Sequence, residues 1–132
     1  MKVFKFFLFY WLPVIVWMLF IFFLSSQTKV SITHQFASDF VIFKMLHMIE
    51  YAILYFLLFR AFYPINNKNL SLKNKFIIPI IIGFFYSITD ELHQLVVPTR
   101  SGQLRDTGFD LLGIILMYAL IKKYLTALKK YL

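Results

Sequence analysis

The 132-residue sequence predicts an all-α fold: one domain, residues 1–132, built as a polytopic membrane bundle of four transmembrane helices. Its hydrophobic content is 61%, whereas soluble domains average roughly 45–50% apolar residues. Four apolar segments approach the roughly 20 residues that cross a bilayer core about 30 Å thick. The basic residues are divided unequally between the connections on the two sides, as expected for a multi-pass membrane protein.

The four predicted helices cover residues of about 6–24, 41–63, 76–96 and 107–124. The first begins close to the N-terminus, as a secretion signal does. Its apolar run of about 19 residues is longer than the roughly 7–15 residues of a signal peptide, and no small-residue cleavage motif follows. We therefore expect it to be a retained membrane helix.

The distribution of basic residues predicts the orientation of the bundle. Ten of the 14 Lys and Arg residues lie on the side of the two termini and of residues 66–75, and four lie on the other side. Because cytoplasmic loops are enriched in Lys and Arg, we expect both termini in the cytoplasm. The basic residues are scattered and form no single basic face, which argues against nucleic-acid binding. The chain has no cysteine, so disulfides, thiolate metal sites and a cysteine nucleophile are excluded.

Three of the predicted helices carry ionisable residues toward the outer end, although each such residue costs roughly 2.5–3.5 kcal/mol to insert. At about 100° per residue, their polar side chains fall on one face of each helix. The polar residues of these faces are Lys44, His47, Glu50 and Tyr51 on the second helix, Tyr86, Ser87, Asp90, His93 and Gln94 with Glu91 at the margin on the third, and Asp106 and Asp110 on the fourth. Gly113 shares the last face, where it would let a neighbouring backbone approach closely.

All three polar faces lie at the outer end, and one outward-opening pocket between helices two, three and four would give them partners and water. Single residues allow other interpretations. Lys44 suits an interfacial anchor, and His47 suits an interhelical hydrogen bond. Glu50 suits a structural ion pair with Lys44 or Arg105. Arg100 and Arg105 suit ordinary loop charges as well as ligand contacts.

Three motifs stand in order along the chain, each beside a predicted helix: SSQ at 25–27, KMLHMIEYAILYFLLFRA at 44–61 and SITDELHQLVVPTRSGQLRDTGFDLLG at 87–113. They resemble the VanZ-like family of small bacterial membrane proteins. Phe43 and Thr99 depart from the family pattern, which often has an acidic residue before the lysine and Pro-Gly-Arg in the turn. The resemblance implies a protein of the bacterial cytoplasmic membrane, associated with low-level resistance to teicoplanin. The positions that carry over are Lys44, His47, Glu50, Tyr51, Asp90, Glu91, His93, Gln94, Arg100, Asp106 and Asp110.

One hypothesis is that the pocket binds a lipid or a lipid-linked cell-envelope precursor. Lys44, Arg100 and Arg105 would hold phosphate oxygens, and the apolar flanks of the helices would receive the tail. The predicted binding set is Lys44, Tyr51, Glu91, Gln94, Arg100, Arg105, Asp106 and Asp110. If the protein also modifies this molecule, a general acid and base would come from a histidine paired with a carboxylate. The candidate catalytic set is His47, Glu50, Asp90 and His93, and no nucleophile motif accompanies it.

Two other functions remain as alternatives. A metal-dependent enzyme would bind Zn, Mn or Fe through nitrogen and oxygen ligands, at spacings that match no established metal motif. Its candidate ligands are His47, His93, Glu50, Asp90 and Asp110. A proton- or ion-coupled transporter would use the intramembrane acids, but the inner halves of the helices lack polar residues to continue a path. A purely structural protein would leave the cost of the acids unexplained.

Overall fold

The computed structural model describes residues 2–28, 36–65, 70–98, 100 and 102–130, and the regular structure in this part of the chain is all helical. Residues 29–35, residues 66–69, Thr99 and Ser101 lie outside the described residues. The elements in chain order are α1 (Lys2–Phe6), a π-helical turn (Phe7–Trp11), α2 (Leu12–Ser26), α3 (Phe36–Phe62), α4 (Leu72–Gln94), a 3₁₀ turn (Leu104–Asp106) and α5 (Thr107–Leu128).

Four helical spans are long and apolar enough to cross a membrane: Val3–Ser26, Ser38–Phe62, Leu72–Gln94 and Leu104–Leu128. They contain 23 to 25 residues, which corresponds to roughly 35 Å of helix and exceeds a bilayer core of about 30 Å. The prediction of a four-helix membrane bundle is confirmed. Hydropathy placed the starts of the helices up to five residues late, because it marks the apolar part and misses polar residues that continue the helix.

The first span contains a π-helical turn for a local reason. Pro13 has no backbone N–H, so the carbonyl of Phe9, four residues earlier, loses its usual helical donor. Arg60 replaces that donor, since its Nη1 lies 3.1 Å from the Phe9 oxygen. This contact also ties the first span to the far end of α3.

The third helix is the centre of the bundle. Six of the buried apolar or aromatic residues in the core lie on it: Tyr51, Leu54, Tyr55, Leu58, Phe59 and Ala61. Its most extensive packing is against α5. There Gly113 faces the backbone of Met48, and a Cβ added at Gly113 would overlap the Met48 carbonyl oxygen. The predicted close approach at Gly113 is therefore confirmed, and its neighbour is α3.

The polar faces meet at one end of this bundle. Successive spans alternate in direction, so that α2 and α4 end where α3 and α5 begin. We call this the polar end. Below it the interior is filled by the aromatic and aliphatic side chains of α3, while large apolar residues such as Phe9, Leu19 and Phe85 are exposed on the outside, as expected for a surface that faces lipid.

Candidate functional site

An ion pair joins the start of α3 to the start of the fourth span. Lys44 Nζ lies 2.5 Å from Asp106 Oδ2, and the two side chains are 14% and 12% exposed. The ammonium also lies 5.5 Å and 5.6 Å from the ring centroids of Phe40 and Phe109, a distance at which aromatic rings attract a cation. The sequence left open a pair of Glu50 with Lys44, but in the structure the Lys44 ammonium pairs with Asp106. Lys44 and Glu50 are separated by about 9 Å along α3.

One turn deeper, three side chains from three helices meet. His47 Nδ1 on α3 lies 3.4 Å from Asp110 Oδ1 on α5. The other carboxylate oxygen of Asp110 accepts a hydrogen bond of 2.6 Å from the Ser87 hydroxyl on α4. Asp110 and Ser87 are almost completely buried. Asp110 thus stands between a serine that points away from solvent and a histidine that lies nearer the polar end.

Several buried polar atoms around this contact have no hydrogen-bond partner in the described part of the chain: His47 Nδ1, Tyr51 OH, Asp90 Oδ1 and Asp110 Oδ1. An unsatisfied buried polar group costs about 1–3 kcal/mol, and native proteins keep few of them. They come from three spans, α3, α4 and α5. The polar end therefore retains hydrogen-bonding capacity that the fold itself does not use.

The first span forms a further wall of the site. Gln94 on α4 donates from Nε2 to Asp90 Oδ2 at 3.0 Å and to the Ser25 hydroxyl on α2 at 3.4 Å. Ser25 is only 3% exposed. The prediction placed the pocket between helices two, three and four, and the structure adds α2 to these walls. The SSQ motif that begins at Ser25 was the available signal.

His93 contacts α2, and no ion pair joins it to a carboxylate among the described residues. Its Nε2 lies 3.0 Å from the Ser26 hydroxyl, and its ring stacks on Phe22 with centroids 4.2 Å apart. Helical periodicity put His93 near Asp90, but α2 lies against that part of the face. The structure therefore separates the two predicted catalytic histidines, with His47 beside Asp110 and His93 beside Ser26.

Arg100 closes the end of the first span. Its Nη2 and Nε donate, each at 2.9 Å, to the carbonyl oxygens of Leu24 and Gln27. These belong to the last turn and cap of α2, where a cation also interacts favourably with the helix dipole. Burial lowers the pKa of the Arg100 guanidinium from its ordinary value, and nearby carboxylates oppose that shift. Arg100 is thus a structural cap that also faces the site.

Glu91 shapes the connection that leads to α5. Its carboxylate accepts a 2.8 Å hydrogen bond from the backbone N–H of Gln103, and the residue is only 2% exposed. Gly102 packs on the same turn of α4, where an added Cβ would overlap the Glu91 carbonyl oxygen. Glu91 therefore holds the loop in place from the margin of the polar face.

Glu50 and Arg105 stand apart from the contacts above. No hydrogen bond or ion pair joins the Glu50 carboxylate to another residue in the described ranges, whereas its backbone oxygen accepts a 2.9 Å bond from Trp17 Nε1. Arg105 is 75% exposed at its side chain, with Nε 4.0 Å from Asp106 Oδ1. The Arg105 guanidinium therefore points away from the interior, and the two arginines that the sequence grouped together differ in environment.

A small recess opens between these residues at the polar end. Its volume is about 20 Å³, and its lining comprises Phe40, Phe43, Lys44, His47, Gln94, Arg100 and Asp106. A water needs roughly 10–15 Å³, so the recess admits a water or the tip of a polar group. Sequence reasoning had not selected Phe40 and Phe43, whose apolar side chains carry no polar signal. Within the described residues, no group of three or more His, Asp or Glu side chains is arranged to hold a metal ion.

The comparison with known protein families identifies the chain. The model of the VanZ/LLP1 family matches residues 7–127, which cover the four spans apart from the first residues of the first span and the last residue of the fourth. The chain therefore belongs to the VanZ/LLP1 family, as the motifs predicted. No curated protein and no solved structure matches it.

Proposed function

We propose that this member of the VanZ/LLP1 family binds the polar head group of a membrane amphiphile, a lipid or a lipid-linked cell-envelope precursor, at the recess of the polar end. The observation that carries the proposal is the lining of the recess, which combines Lys44 and Arg100 with His47, Asp106 and Gln94 inside a membrane-spanning bundle. Ionisable groups within a span normally face a protein interior or a polar cavity and mark a functional site.

The two cations at the recess suit phosphate oxygens. Lys44 uses one N–H on Asp106, and Arg100 donates to the carbonyl oxygens of Leu24 and Gln27. Ammonium and guanidinium groups have further N–H donors, and such donors form strong charge-assisted hydrogen bonds with phosphate. The fixed position of Arg100 lowers the entropic cost of presenting these donors.

The acids behind the cations limit the class of head group. Asp106 lines the recess, and Asp90 and Asp110 lie buried below it. The carboxylates would repel a head group that carries only phosphate. A head group that also carries hydroxyl or amine donors would hydrogen-bond to the Asp106 carboxylate at the recess. We therefore favour a mixed head group, as in phospholipids and sugar-bearing lipid precursors.

The size of the recess indicates shallow binding. At about 20 Å³ it takes the tip of a head group, with the rest of the molecule in the surrounding lipid. Phe40 and Val41, at the start of the second span, are exposed beside it and offer an apolar flank for the tail. In the orientation that the basic residues predict, the recess opens toward the outer leaflet.

A transport path finds less support in the geometry. Tyr55, Leu58 and Phe59 fill the interior below the carboxylates and are each at most 1% exposed. The Tyr55 hydroxyl donates a hydrogen bond of 3.3 Å to the Phe76 carbonyl oxygen, so this hydroxyl is not available to carry a proton onward. A proton or ion that reached Asp110 would therefore meet a packed apolar layer. We favour binding over transport for this reason.

Native mass spectrometry with added phosphatidylglycerol tests the proposal. We expect Lys44→Met to raise the dissociation constant of the lipid at least about tenfold, which corresponds to the loss of roughly 1.4 kcal/mol of binding free energy. Arg105→Gln is the matched control, because it removes a cation that is 75% exposed outside the recess, and it should bind as the wild type does. Equal binding by wild type and Lys44→Met, or equal loss in both variants, would overturn the proposal.

The resemblance to the VanZ-like family also implies an effect on teicoplanin resistance in cells. If the protein occupies or alters envelope lipids, low-level teicoplanin resistance would follow indirectly from changed exposure of the cell-wall precursor. Expression of the wild type should then lower teicoplanin susceptibility and teicoplanin binding to cells, and Lys44→Met should not. Unchanged susceptibility and unchanged binding upon wild-type expression would contradict this role.

A further inference from the structure

We propose that His47 is an acid–base residue of the recess, held by Asp110 so that its Nε2 atom exchanges a proton with an O–H group of the bound amphiphile. This inference rests on the head-group binding proposed above and adds a chemical step to it. The step is a proton transfer: the O–H bond of the ligand breaks and an N–H bond forms at Nε2, and the reverse transfer restores both.

The first support is the different surroundings of the two ring nitrogens of His47. His47 Nδ1 is buried and lies 3.4 Å from Asp110 Oδ1, while the residue is 13% exposed at its side chain and lines the recess. An ionised carboxylate only accepts hydrogen bonds, so it favours the imidazole tautomer with the proton on Nδ1. The lone pair is then on Nε2, the nitrogen opposite to the one that Asp110 contacts.

The second support is the way in which Asp110 is fixed. Ser87 donates its hydroxyl proton to Asp110 Oδ2 at 2.6 Å and is fully buried. This order differs from a Ser-His-Asp triad, in which the histidine lies between serine and carboxylate. Here the carboxylate lies in the middle, so Ser87 orients Asp110 and is not placed as a nucleophile. We therefore assign the O–H group that His47 serves to the bound amphiphile, which points to a head group bearing a hydroxyl.

The third support comes from the other carboxylates near His47. Asp90 Oδ2 is engaged by Gln94, and Asp106 is engaged by Lys44. Asp110 Oδ1 and Asp90 Oδ1 both have no hydrogen-bond partner in the described part of the chain, but it is Asp110 whose oxygen lies 3.4 Å from a His47 nitrogen. The 3.4 Å separation is longer than a standard hydrogen bond of about 2.7–3.2 Å, and contacts of this kind often shorten when a ligand binds.

Nitrogen NMR of ¹⁵N-histidine-labelled protein in phosphatidylcholine nanodiscs tests the tautomer without a ligand. The chain has three histidines, and His47→Gln and His93→Gln assign their signals. We expect His47 to carry its proton mainly on Nδ1, and Asp110→Asn, which keeps an oxygen acceptor for Ser87, to shift the proton to Nε2. Ser26→Ala is the control, because it contacts His93 and should leave His47 unchanged. A wild-type His47 with its proton mainly on Nε2 would overturn the inference.

A second arm adds phosphatidylglycerol, whose head group carries hydroxyls, to the nanodiscs. We expect the Nε2 resonance of His47 to shift in the wild type and not in Lys44→Met. If lipid binding is detected by mass spectrometry but the His47 resonance stays unchanged, the acid–base inference fails and the binding function stands. If neither changes, the binding function fails, and the inference that rests on it fails too.

Discussion

His47 and Asp110 face each other between the second and fourth spans, with Nδ1 3.4 Å from Oδ1 and the aspartate only 1% exposed at its side chain. A carboxylate at this depth is costly unless other groups stabilise it. Ser87 supplies one hydrogen bond and His47 supplies the nearby N–H. This contact holds three spans together at the polar end and also directs the imidazole toward the recess.

Asp110→Leu should destabilise the bundle strongly, because it leaves the buried Ser87 hydroxyl without an acceptor and removes the carboxylate beside His47 Nδ1. We expect a loss of about 3 kcal/mol in the free energy of unfolding. Asp110→Asn keeps an acceptor for Ser87 and should cost about 1 kcal/mol. Unfolding in a titration with sodium dodecyl sulfate, followed by circular dichroism, measures both. Equal stability of the two variants would contradict this role of Asp110.

Gly113→Ala should destabilise the packing of α3 on α5, since the added methyl group would overlap the Met48 carbonyl oxygen. Overpacking of this kind costs about 1–3 kcal/mol. Gly108→Ala is the matched control on the same helix, where an added Cβ meets no atom within 4 Å and alanine favours the helix by about 0.5–1 kcal/mol. The two variants should therefore change the unfolding free energy in opposite directions, and a stabilised Gly113→Ala would refute the close approach.

The ion pair between Lys44 and Asp106 should show strong coupling in a double-mutant cycle. Lys44→Met alone leaves a poorly exposed carboxylate without its cation, and Asp106→Asn alone leaves the ammonium without its anion. Each should cost about 3 kcal/mol, whereas the double variant should cost less than the sum by at least about 1 kcal/mol. The same unfolding titration provides the four values. If the losses of unfolding free energy are additive, the pair contributes as little as a solvent-exposed ion pair does.

Arg100→Lys should loosen the end of α2 even though it keeps the charge. Arginine reaches the carbonyl oxygens of Leu24 and Gln27 with two different nitrogens, and a lysine ammonium cannot reproduce that geometry. We expect faster amide hydrogen exchange in the last turn of α2, with α4 unchanged, measured by mass spectrometry in detergent. Arg105→Lys should have no effect. Unchanged exchange in Arg100→Lys would exclude the capping role.

Single cysteines test the proposed orientation, because the chain has no cysteine of its own. Leu104 is 61% exposed near the polar end, and Lys73 is exposed at the opposite end. A thiol reagent that cannot cross the membrane should label Leu104→Cys in intact cells and should label Lys73→Cys only after permeabilisation. The reverse pattern would place the recess on the cytoplasmic side.

Composition and periodicity predicted the four spans, the polar end and most of the buried polar residues. Apolar length determines the spans, and the 3.6-residue period determines which side chains share a face. Both are local properties that one helix carries by itself. They were sufficient to select Asp90, Asp110 and His47 and to predict the close approach at Gly113.

The pairings depend on how the helices are rotated and placed against one another, which local periodicity does not encode. The polar face of α4 is wide enough to include both Asp90 and His93. It therefore contacts more than one neighbouring helix, and α2 packs against the part that holds His93. Lys44 likewise reaches Asp106 because the 3₁₀ turn that precedes α5 lies beside it. Hydropathy did not reveal the contribution of Ser25, since one small hydroxyl hardly changes the hydropathy of an apolar helix, and the SSQ motif was its one signal.

Photo-crosslinking in membranes tests the central claim, head-group binding at the recess, most directly. The probe is phosphatidylglycerol with a diazirine on its head group, and the labelled residues are identified by mass spectrometry. We predict labelling concentrated at Phe40, Phe43 and Arg100, reduced at least about tenfold in Lys44→Met and unchanged in Arg105→Gln. Labelling spread over exposed residues of the first span such as Phe23, equally in wild type and Lys44→Met, would contradict the claim.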